Sequence, residues 1–325
     1  MARRIVSLLP SATEIVCGLG ARDELVGRSH ECDYPDGIES LPVLTSPKVK
    51  PSAMSGEIDR SVREVVRNAL GVYDVDAAKL EQLAPDVIVT QDLCDVCAVS
   101  LDDVKKAVAS LAKRDVAIVS LKPLHLDDIF GDVVRVGEAI GRAGEAKALA
   151  AKLRARAESV RERAARNSTR PEILTIEWID PVMLGGTWMP EMASLCASRA
   201  LGVEAGQKAP TVDRAFLEKI DPELIVVKPC GFPVDRTLAE LPRLRETLPW
   251  DEWTAVLNGR VYVADGNAYF NRPGPRIADS LEILAACIHP KQFRDFRKLY
   301  ASSVVEVDPD LSLRRWSDEY IGEGV

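Results

Sequence analysis

Short apolar runs alternate with longer amphipathic stretches along this chain. Runs of mostly apolar, largely β-branched residues predict strands at residues 4–9, 87–90, 116–121, 172–177, 225–227 and 260–264. Each run is too short for a helix, and continuous apolar character is typical of strands that are buried on both faces. Because helical stretches separate these strands, the pattern predicts an α/β fold with mainly parallel sheets.

An internal repeat indicates that the chain contains two related lobes. Residues 76–90 align without a gap on residues 213–227, at a constant offset of 137. Each copy is predicted to form a short helix that ends before a proline, followed by a strand, since the residue before proline disfavours the α conformation. The identities are Asp76/Asp213, Ala78/Ala215, Leu80/Leu217, Glu81/Glu218, Pro85/Pro222, Ile88/Ile225 and Val89/Val226.

A stretch rich in strong helix formers separates the two copies. Residues 126–166 are rich in Ala, Glu, Arg, Lys and Leu, and we expect Gly141 and Gly144 to break the helix. The uninterrupted part, residues 145–166, would be about 33 Å long. We therefore predict two Rossmann-like lobes joined by a single long backbone helix. The predicted boundaries are an N-terminal lobe at 1–123, a helical linker at 124–169, a C-terminal lobe at 170–290 and a tail at 291–325.

Sequence patterns predict helices at three further places. Ser11-Ala-Thr-Glu14 has the spacing of a capping box, residues 190–196 read as a helix, and Pro275 suits the first turn of another. These signals place polar loops immediately after several predicted strands.

Composition and net charge argue against some classes of binding partner. The formal net charge is -8 and no basic stripe is present, which argues against nucleic acid or an anionic membrane surface. No stretch of about 18 apolar residues predicts a membrane span. The apolar run after Arg4 is too short for a signal peptide and runs into polar residues, so we expect a cytoplasmic protein, or a periplasmic one if the true start lies upstream.

In open parallel sheets, ligands bind beyond the carboxyl ends of the strands. Four of the seven cysteines fall on such loops, and thiolates are ligands of zinc and iron–sulfur clusters. The candidate metal ligands are Cys32, Cys94, Cys97 and Cys230, of which the second and third form a C-x-x-C pair. The alternative is that they fill the core, as we expect for Cys17, Cys196 and Cys287.

Aromatic and polar residues on the same loops are candidate contacts for a flat ligand. Rings bind the faces of macrocycles by apolar contact, and an arginine beside a helix start suits an anion. Capping of its own loop is the alternative role for that arginine. The candidate ligand-binding residues are His30, Glu31, Tyr34, Trp188, Phe232, Tyr269, Phe270 and Arg272, with Trp178 as a further possibility.

Several motifs together resemble a known family. The opening segment at residues 4–14, Val26-Gly27, Asp33-Tyr34-Pro35, Leu83-x-Pro85-Asp86 and Pro275-Arg276 occur in the order found in helical-backbone, TroA-like substrate-binding proteins of ABC importers. The cobalamin-binding branch is the most similar. The resemblance implies two lobes with a ligand cleft between them, and a corrinoid, haem, siderophore or metal ion as ligand. It also implies a permease as partner if a leader precedes the chain.

Two functional hypotheses follow. The first is a binding protein for cobalamin, another corrinoid or a related metal complex, acting in ABC import or in cytoplasmic salvage or delivery. The second is a zinc or iron–sulfur protein on the same scaffold, with a redox role. The sequence contains no Ser-His-Asp order, phosphate loop or paired-carboxylate motif that would support a specific reaction, so we do not expect an enzyme. A thiol or redox activity of the loop cysteines is the third alternative.

Overall fold

A computed structural model describes residues 3–48, 53–67, 73–91, 101–109 and 115–320. Its contacts divide the chain into two compact units, each with its own main β-sheet. Unit 1 comprises Met1–Pro123, Asp127–Arg154 and Pro273–Pro275. Unit 2 comprises Leu124–Leu126, Ala155–Arg272 and Arg276–Val325. The predicted linker at 124–169 is therefore shared between the two units.

The main sheet of unit 1 is parallel. The strands of this unit are β1 (Ile5–Ser7), β2 (Leu25–Arg28), β3 (Thr45–Pro47), β4 (Tyr73–Val75), β5 (Val87–Gln91) and β6 (Ala117–Leu121). The order in the sheet is β2-β1-β5-β6, while β3 and β4 form a separate antiparallel pair. Strands β1 and β5 are buried along their whole length, as expected for central strands covered on both faces.

Helices follow the strands of unit 1. They are α1 (Pro10–Gly18), α2 (Ser55–Arg67), α3 (Ala77–Leu83), α4 (Leu101–Ala109), α5 (Leu126–Ala139) and α6 (Ala143–Ala164). A buried cluster beneath the sheet contains Val6, Leu8, Leu44, Leu80, Ile88, Val104 and Ala107. The 22-residue α6 is the predicted backbone helix, and the division between the two units falls within it, after Arg154.

The sheet of unit 2 is mixed. Its strands are β7 (Glu172–Trp178), β8 (Met183–Leu184), β9 (Arg199–Ala200), β10 (Leu224–Val227), β11 (Val261–Ala264), β12 (Val304–Val307) and β13 (Leu313–Arg315). The order is β13-β12-β11-β10-β7-β8, with β9 beside β7. Strands β7, β10 and β11 are parallel, whereas β8, β12 and β13 are antiparallel to their neighbours.

Short helices surround this second sheet, together with one long buried helix. They are α7 (Met189–Leu195), α8 (Arg214–Leu217), α9 (Val234–Ala239), α10 (Leu241–Thr247), α11 (Thr254–Leu257), α12 (Ile277–Ile288) and α13 (Arg294–Leu299). Nearly every residue of α12 is buried. The predicted tail packs on unit 2, since β12 pairs with β11 and Trp316 is fully buried.

The two copies of the repeat fold alike. Helix α3 precedes β5 in unit 1, and α8 precedes β10 in unit 2. Asp76 begins the first copy, where its side chain accepts a hydrogen bond from the Lys79 N–H at 2.9 Å. Asp213 does the same with the Phe216 N–H at 2.8 Å. The shared aspartate is therefore a helix cap, which explains its place in the repeat.

The prediction of an α/β fold with mainly parallel sheets is confirmed, but three local signals were wrong. Helix α1 begins at Pro10 with Leu9 as its N-cap, so Ser11 lies inside the helix and makes no capping box. Pro275 precedes α12, whose N-cap is Arg276. Gly141 ends the α5 segment with φ of 78°, but Gly144 lies within the first turn of α6 and does not break it.

In the part of the chain that the structure describes, no helix is both long and apolar enough to cross a membrane.

Candidate functional site

Parallel pairing brings the carboxyl ends of the main strands to one edge in each unit. In unit 1 these ends are Ser7, Arg28, Gln91 and Leu121, and in unit 2 they are Trp178, Val227 and Ala264. The polar loops identified in the sequence follow these residues directly. Each edge is consequently a candidate ligand surface of its own unit.

His30 lies in the loop after β2 and is held by the β3 residue Thr45. Its Nδ1 lies 2.7 Å from Thr45 Oγ1, and its backbone N–H donates to the same oxygen at 3.0 Å. Thr45 Oγ1 in turn donates to Ser29 Oγ at 3.0 Å. With that hydroxyl hydrogen used, Nδ1 is the protonated nitrogen and Nε2 carries the lone pair. Nε2 has no hydrogen-bond partner among the described residues.

The protonation state of His30 follows from its surroundings. Burial, together with the nearby Arg28 guanidinium, lowers the pKa of His30 below its ordinary value. The imidazole is therefore neutral near pH 7, which is the form that coordinates metals.

Glu31 and Tyr34 lie on the same loop. Glu31 Oε1 accepts a hydrogen bond from the Tyr73 hydroxyl at 2.9 Å, and the Tyr73 ring lies 5.2 Å from the His30 ring. Tyr34, at the cis Tyr34–Pro35 bond, is 44% exposed, so its ring is accessible at this edge. The structure thus places these three predicted residues, His30, Glu31 and Tyr34, within one loop.

Cys32 is turned inward from this loop. It is 1% exposed, and its Sγ lies 3.0 Å from the Thr13 hydroxyl of α1. Arg28 stabilises this loop, because its guanidinium donates hydrogen bonds to the carbonyl oxygens of Ser29 and Cys32. A metal role for Cys32 stays a prediction.

An aromatic and cationic group lies at the edge of unit 2. Trp178 ends β7, and its ring meets the Phe232 ring edge-on at 5.2 Å. The Arg236 guanidinium lies 3.7 Å above the Phe232 ring, and its desolvation lowers the pKa of Arg236. Phe232 is 2% exposed while Trp178 is partly exposed, so Trp178 offers the accessible ring.

Two other predicted residues of unit 2 are packed inside it, and a third is half-buried. Trp188 donates its Nε1 hydrogen to the Phe270 carbonyl at 2.9 Å, and both side chains are buried. Tyr269 is half-buried against Tyr300, with ring centroids 6.1 Å apart. The structure describes Trp188 and Phe270 as core residues, whose rings offer little surface to a ligand.

Arg272 is buried in its own loop. It donates from Nη2 to Asn267 Oδ1 at 2.9 Å and is 8% exposed. This contact matches the alternative role considered for it, the capping of its own loop. Binding of a ligand anion by Arg272 stays a prediction.

A buried ionic group was missed by the sequence analysis. Lys228 follows β10 and its side chain is fully buried, with Nζ 2.9 Å from Glu177 Oε2 and 2.9 Å from Asn271 Oδ1. A lysine directly after an apolar strand was the available signal. Its partners are 51 and 43 residues away in sequence, and only the sheet brings them together.

The remaining cysteines do not form a metal site in the described part of the chain. Cys230 is partly exposed in unit 2, and Cys94 and Cys97 lie outside the described residues. Within the described ranges, no group of three or more His, Cys, Asp or Glu side chains could hold a metal ion.

Comparison with known proteins gives a family-level match. The sequence profile of the periplasmic binding protein family matches residues 5–268. A curated relative, the uncharacterized ABC transporter substrate-binding lipoprotein YvrC of Bacillus subtilis (strain 168), is 23% identical over 299 residues. The alignment covers 90% of this chain and 82% of the relative.

Solved structures share the fold at low sequence identity. A periplasmic haem-binding protein from Pseudomonas aeruginosa aligns with a TM-score of 0.67 at 20% identity, covering 89% of this chain and 94% of that one. The periplasmic vitamin B12 binding protein BtuF of Vibrio cholerae aligns with a TM-score of 0.62 at 21% identity, covering 91% and 98%. At these identities the likeness establishes the architecture alone.

Proposed function

Because the chain belongs to the periplasmic binding protein family, we propose that its ligand is a corrinoid or a related metal tetrapyrrole. This family consists of substrate-binding proteins of the ABC-transporter type and not of enzymes. The similar structures include one protein described as binding haem and one described as binding vitamin B12. Both ligands contain a flat macrocycle whose ring nitrogens bind a metal in the ring plane, so that other ligands can bind the metal only at axial positions.

The observation that carries the proposal is the fixed orientation of His30. A histidine that coordinates a metal through one nitrogen usually hydrogen-bonds through the other, which fixes the ring and its tautomer. Thr45 supplies that bond to Nδ1 at 2.7 Å. One oriented Nε2 suits a metal whose equatorial positions are already filled by a macrocycle.

One exposed ring and one partly exposed ring support a flat ligand. Tyr34 in unit 1 and Trp178 in unit 2 each lie beside the carboxyl end of a parallel strand. Aromatic faces bind macrocycles through apolar contact and stacking. Each of these surfaces is proposed as a ligand contact on the evidence of its own unit.

The test is an absorbance titration of the full chain with aquocobinamide, whose axial water exchanges with imidazole. We expect binding with a shift of the visible bands, and we expect His30→Ala to abolish the shift and weaken binding by about tenfold or more. The matched control is His289→Gln, because His289 caps the end of α12 and its Nε2 already bonds to the Cys196 carbonyl oxygen at 2.9 Å.

The pH dependence gives a second readout. Protonation occupies the Nε2 lone pair, so coordination is lost as the pH falls through the pKa of His30. Since that pKa is lowered, we expect the shifted spectrum to persist below the pH at which an ordinary histidine would release the metal. Failure of both the corrinoid and haem to bind would overturn the proposal.

The alternative of a cysteine-ligated zinc or iron–sulfur protein stays a prediction from the sequence. No group of metal-ligating side chains among the described residues favours it, and Cys32 faces Thr13.

Partner and location are also proposals. Substrate-binding proteins of this type bind small ligands and work with membrane permeases, and a permease is the partner we propose for a periplasmic form. The cytoplasmic location remains our expectation, and cell fractionation with detection of the native protein tests it.

A further inference from the structure

A buried lysine organises the carboxyl edge of the sheet in unit 2. The Lys228 side chain is completely buried, and its ammonium group contacts Glu177 Oε2 and Asn271 Oδ1, each at 2.9 Å. An ammonium ion removed from water is strongly disfavoured unless an opposite charge and hydrogen-bond acceptors surround it. The cost of burying Lys228 is offset only while Glu177 and Asn271 keep these positions.

Backbone carbonyl groups fix Asn271 independently of the Lys228 ammonium group. Its Nδ2 donates to the carbonyl oxygens of Lys228 and Gly266, both at 2.9 Å. Because both amide hydrogens are used on the backbone, Oδ1 must face the ammonium group. The loops are closely packed here, since a Cβ on Gly266 would lie 2.1 Å from the Pro229 carbonyl oxygen.

The fixed lysine orients the Glu177 carboxylate. Oε2 is held by Lys228, whereas Oε1 has no hydrogen-bond partner among the described residues, and the side chain is 27% exposed. The pairing of β7 with β8 shifts register between Ile176 and Trp178, and such irregularities re-aim side chains at the end of a strand. The Glu177 carboxylate is thus a partly exposed hydrogen-bond acceptor whose orientation is fixed by Lys228.

This acceptor lies next to the surface already assigned to the ligand. Trp178 is the next residue of β7, and the Cys230 N–H donates to the Glu177 carbonyl at 3.1 Å. Because the register shift between Ile176 and Trp178 interrupts the alternation of side chains at this strand end, the Glu177 carboxylate and the proposed ligand contact at Trp178 share the carboxyl edge of the sheet.

We propose that Glu177, held by Lys228 and Asn271, is a specificity-determining residue that selects a macrocycle with peripheral amide groups over one with peripheral carboxylates. This inference rests on the proposed function and names the ligand class within it. Amide N–H groups donate to a carboxylate in charge-assisted hydrogen bonds, while a ligand carboxylate would be repelled by it. Corrinoids carry amides at the ring edge, and haem carries two propionates.

The experiment compares two probes on the full chain. Aquocobinamide and haemin are titrated against the wild type, Glu177→Gln and the control Glu172→Gln, with tryptophan fluorescence and ligand absorbance as readouts. Glu172 lies at the opposite end of the same strand, where it pairs with Arg199. We expect wild type to prefer the corrinoid, and Glu177→Gln to weaken corrinoid binding by about 10- to 100-fold without weakening haemin binding. Glu172→Gln should change neither.

A second variant separates specificity from folding. Glu177→Gln leaves the buried ammonium without its counter-charge, whereas Glu177→Gln/Lys228→Met removes both charges at similar volume. If only the single variant unfolds, the double variant carries the test, and it should show the same loss of corrinoid preference.

The outcomes distinguish the two proposals. Corrinoid binding that is equal to haemin binding, and unchanged in folded Glu177 variants, would overturn this inference and leave the proposed function intact. Preferential haemin binding would also overturn it. Absence of binding to either macrocycle would overturn the proposed function and this inference together.

Discussion

At the scale of single residues, burial separates side chains that the sequence could not distinguish. Cys32 and Cys230 both lie on strand-end loops, yet Cys32 is 1% exposed and Cys230 is partly exposed. Cys196 and Cys287 are fully buried, as expected for core residues. Cys17, also expected in the core, is partly exposed, although burial still raises the pKa of its thiol to about 11.

These environments predict the order of thiol reactivity. The thiolate is the reactive form, and burial raises the pKa of the Cys196 and Cys287 thiols well above the ordinary value. Among four of the cysteines that the structure describes, we expect iodoacetamide at pH 8 to label Cys230 first, Cys17 slowly, and Cys196 and Cys287 only after unfolding. Peptide mapping by mass spectrometry measures the order, with guanidinium-unfolded protein as control. Fast native labelling of Cys287 would contradict the buried position of α12.

At the scale of elements, two nearby glycines have different roles. Gly141, between α5 and α6, has φ of 78°, a left-handed conformation that costs an L-residue about 1 kcal/mol or more. Gly144 lies in the first turn of α6, and a Cβ there would meet no atom within 4 Å. Their shared residue type suggested two helix breaks, whereas the backbone conformation restricts the break to Gly141.

This difference predicts opposite effects of one substitution. Gly141→Ala should lower the free energy of unfolding by about 1 kcal/mol because alanine is strained at positive φ. Gly144→Ala should leave it unchanged or raise it by roughly 0.5–1 kcal/mol, since alanine is the stronger helix former. Urea denaturation of the two variants measures both values. Equal destabilisation would show that α6 begins after Gly144.

At the scale of the whole molecule, the units are not continuous in sequence. Unit 1 takes in residues 127–154 and 273–275, and unit 2 takes in the tail through β12 and β13. Trp316 lies beyond the end of the C-terminal lobe predicted at 170–290. Its side chain is nevertheless fully buried, and Nε1 donates a hydrogen bond to Glu306 Oε1 at 3.0 Å. The tail is therefore part of the folded body of unit 2.

This role of the tail predicts a large effect from a position near the end of the chain. Trp316→Ala should lower the free energy of unfolding by about 3–5 kcal/mol, the usual effect of deleting a buried aromatic side chain. Leu313→Ala is the control, because Leu313 is 42% exposed and should cost roughly 0.5 kcal/mol or less. Thermal unfolding compares them. A Trp316 variant as stable as the control would separate the tail from the core of unit 2.

Most of the fold was predictable because it depends on local periodicity. The apolar runs located β5 and β10, and the gapless repeat revealed two equivalent helix–strand pairs with matching caps at Asp76 and Asp213. The capping box at Ser11 failed, because Pro10 takes the first turn of α1 and moves the N-cap to Leu9. Short motifs are unreliable where an adjacent proline offers another start.

The sequence by itself determined the alternation of strands and helices, the repeat and the loops at which ligand contacts are expected, since each depends on the order of residues along the chain. Only the tertiary structure decided which side chains on those loops remain accessible. It buried Phe270 and Cys32, left Tyr34 exposed, and joined Lys228 to Glu177 across the sheet. The reason is physical: burial and ion pairing depend on neighbours that are distant in sequence, and parallel strand order brings those neighbours to one edge.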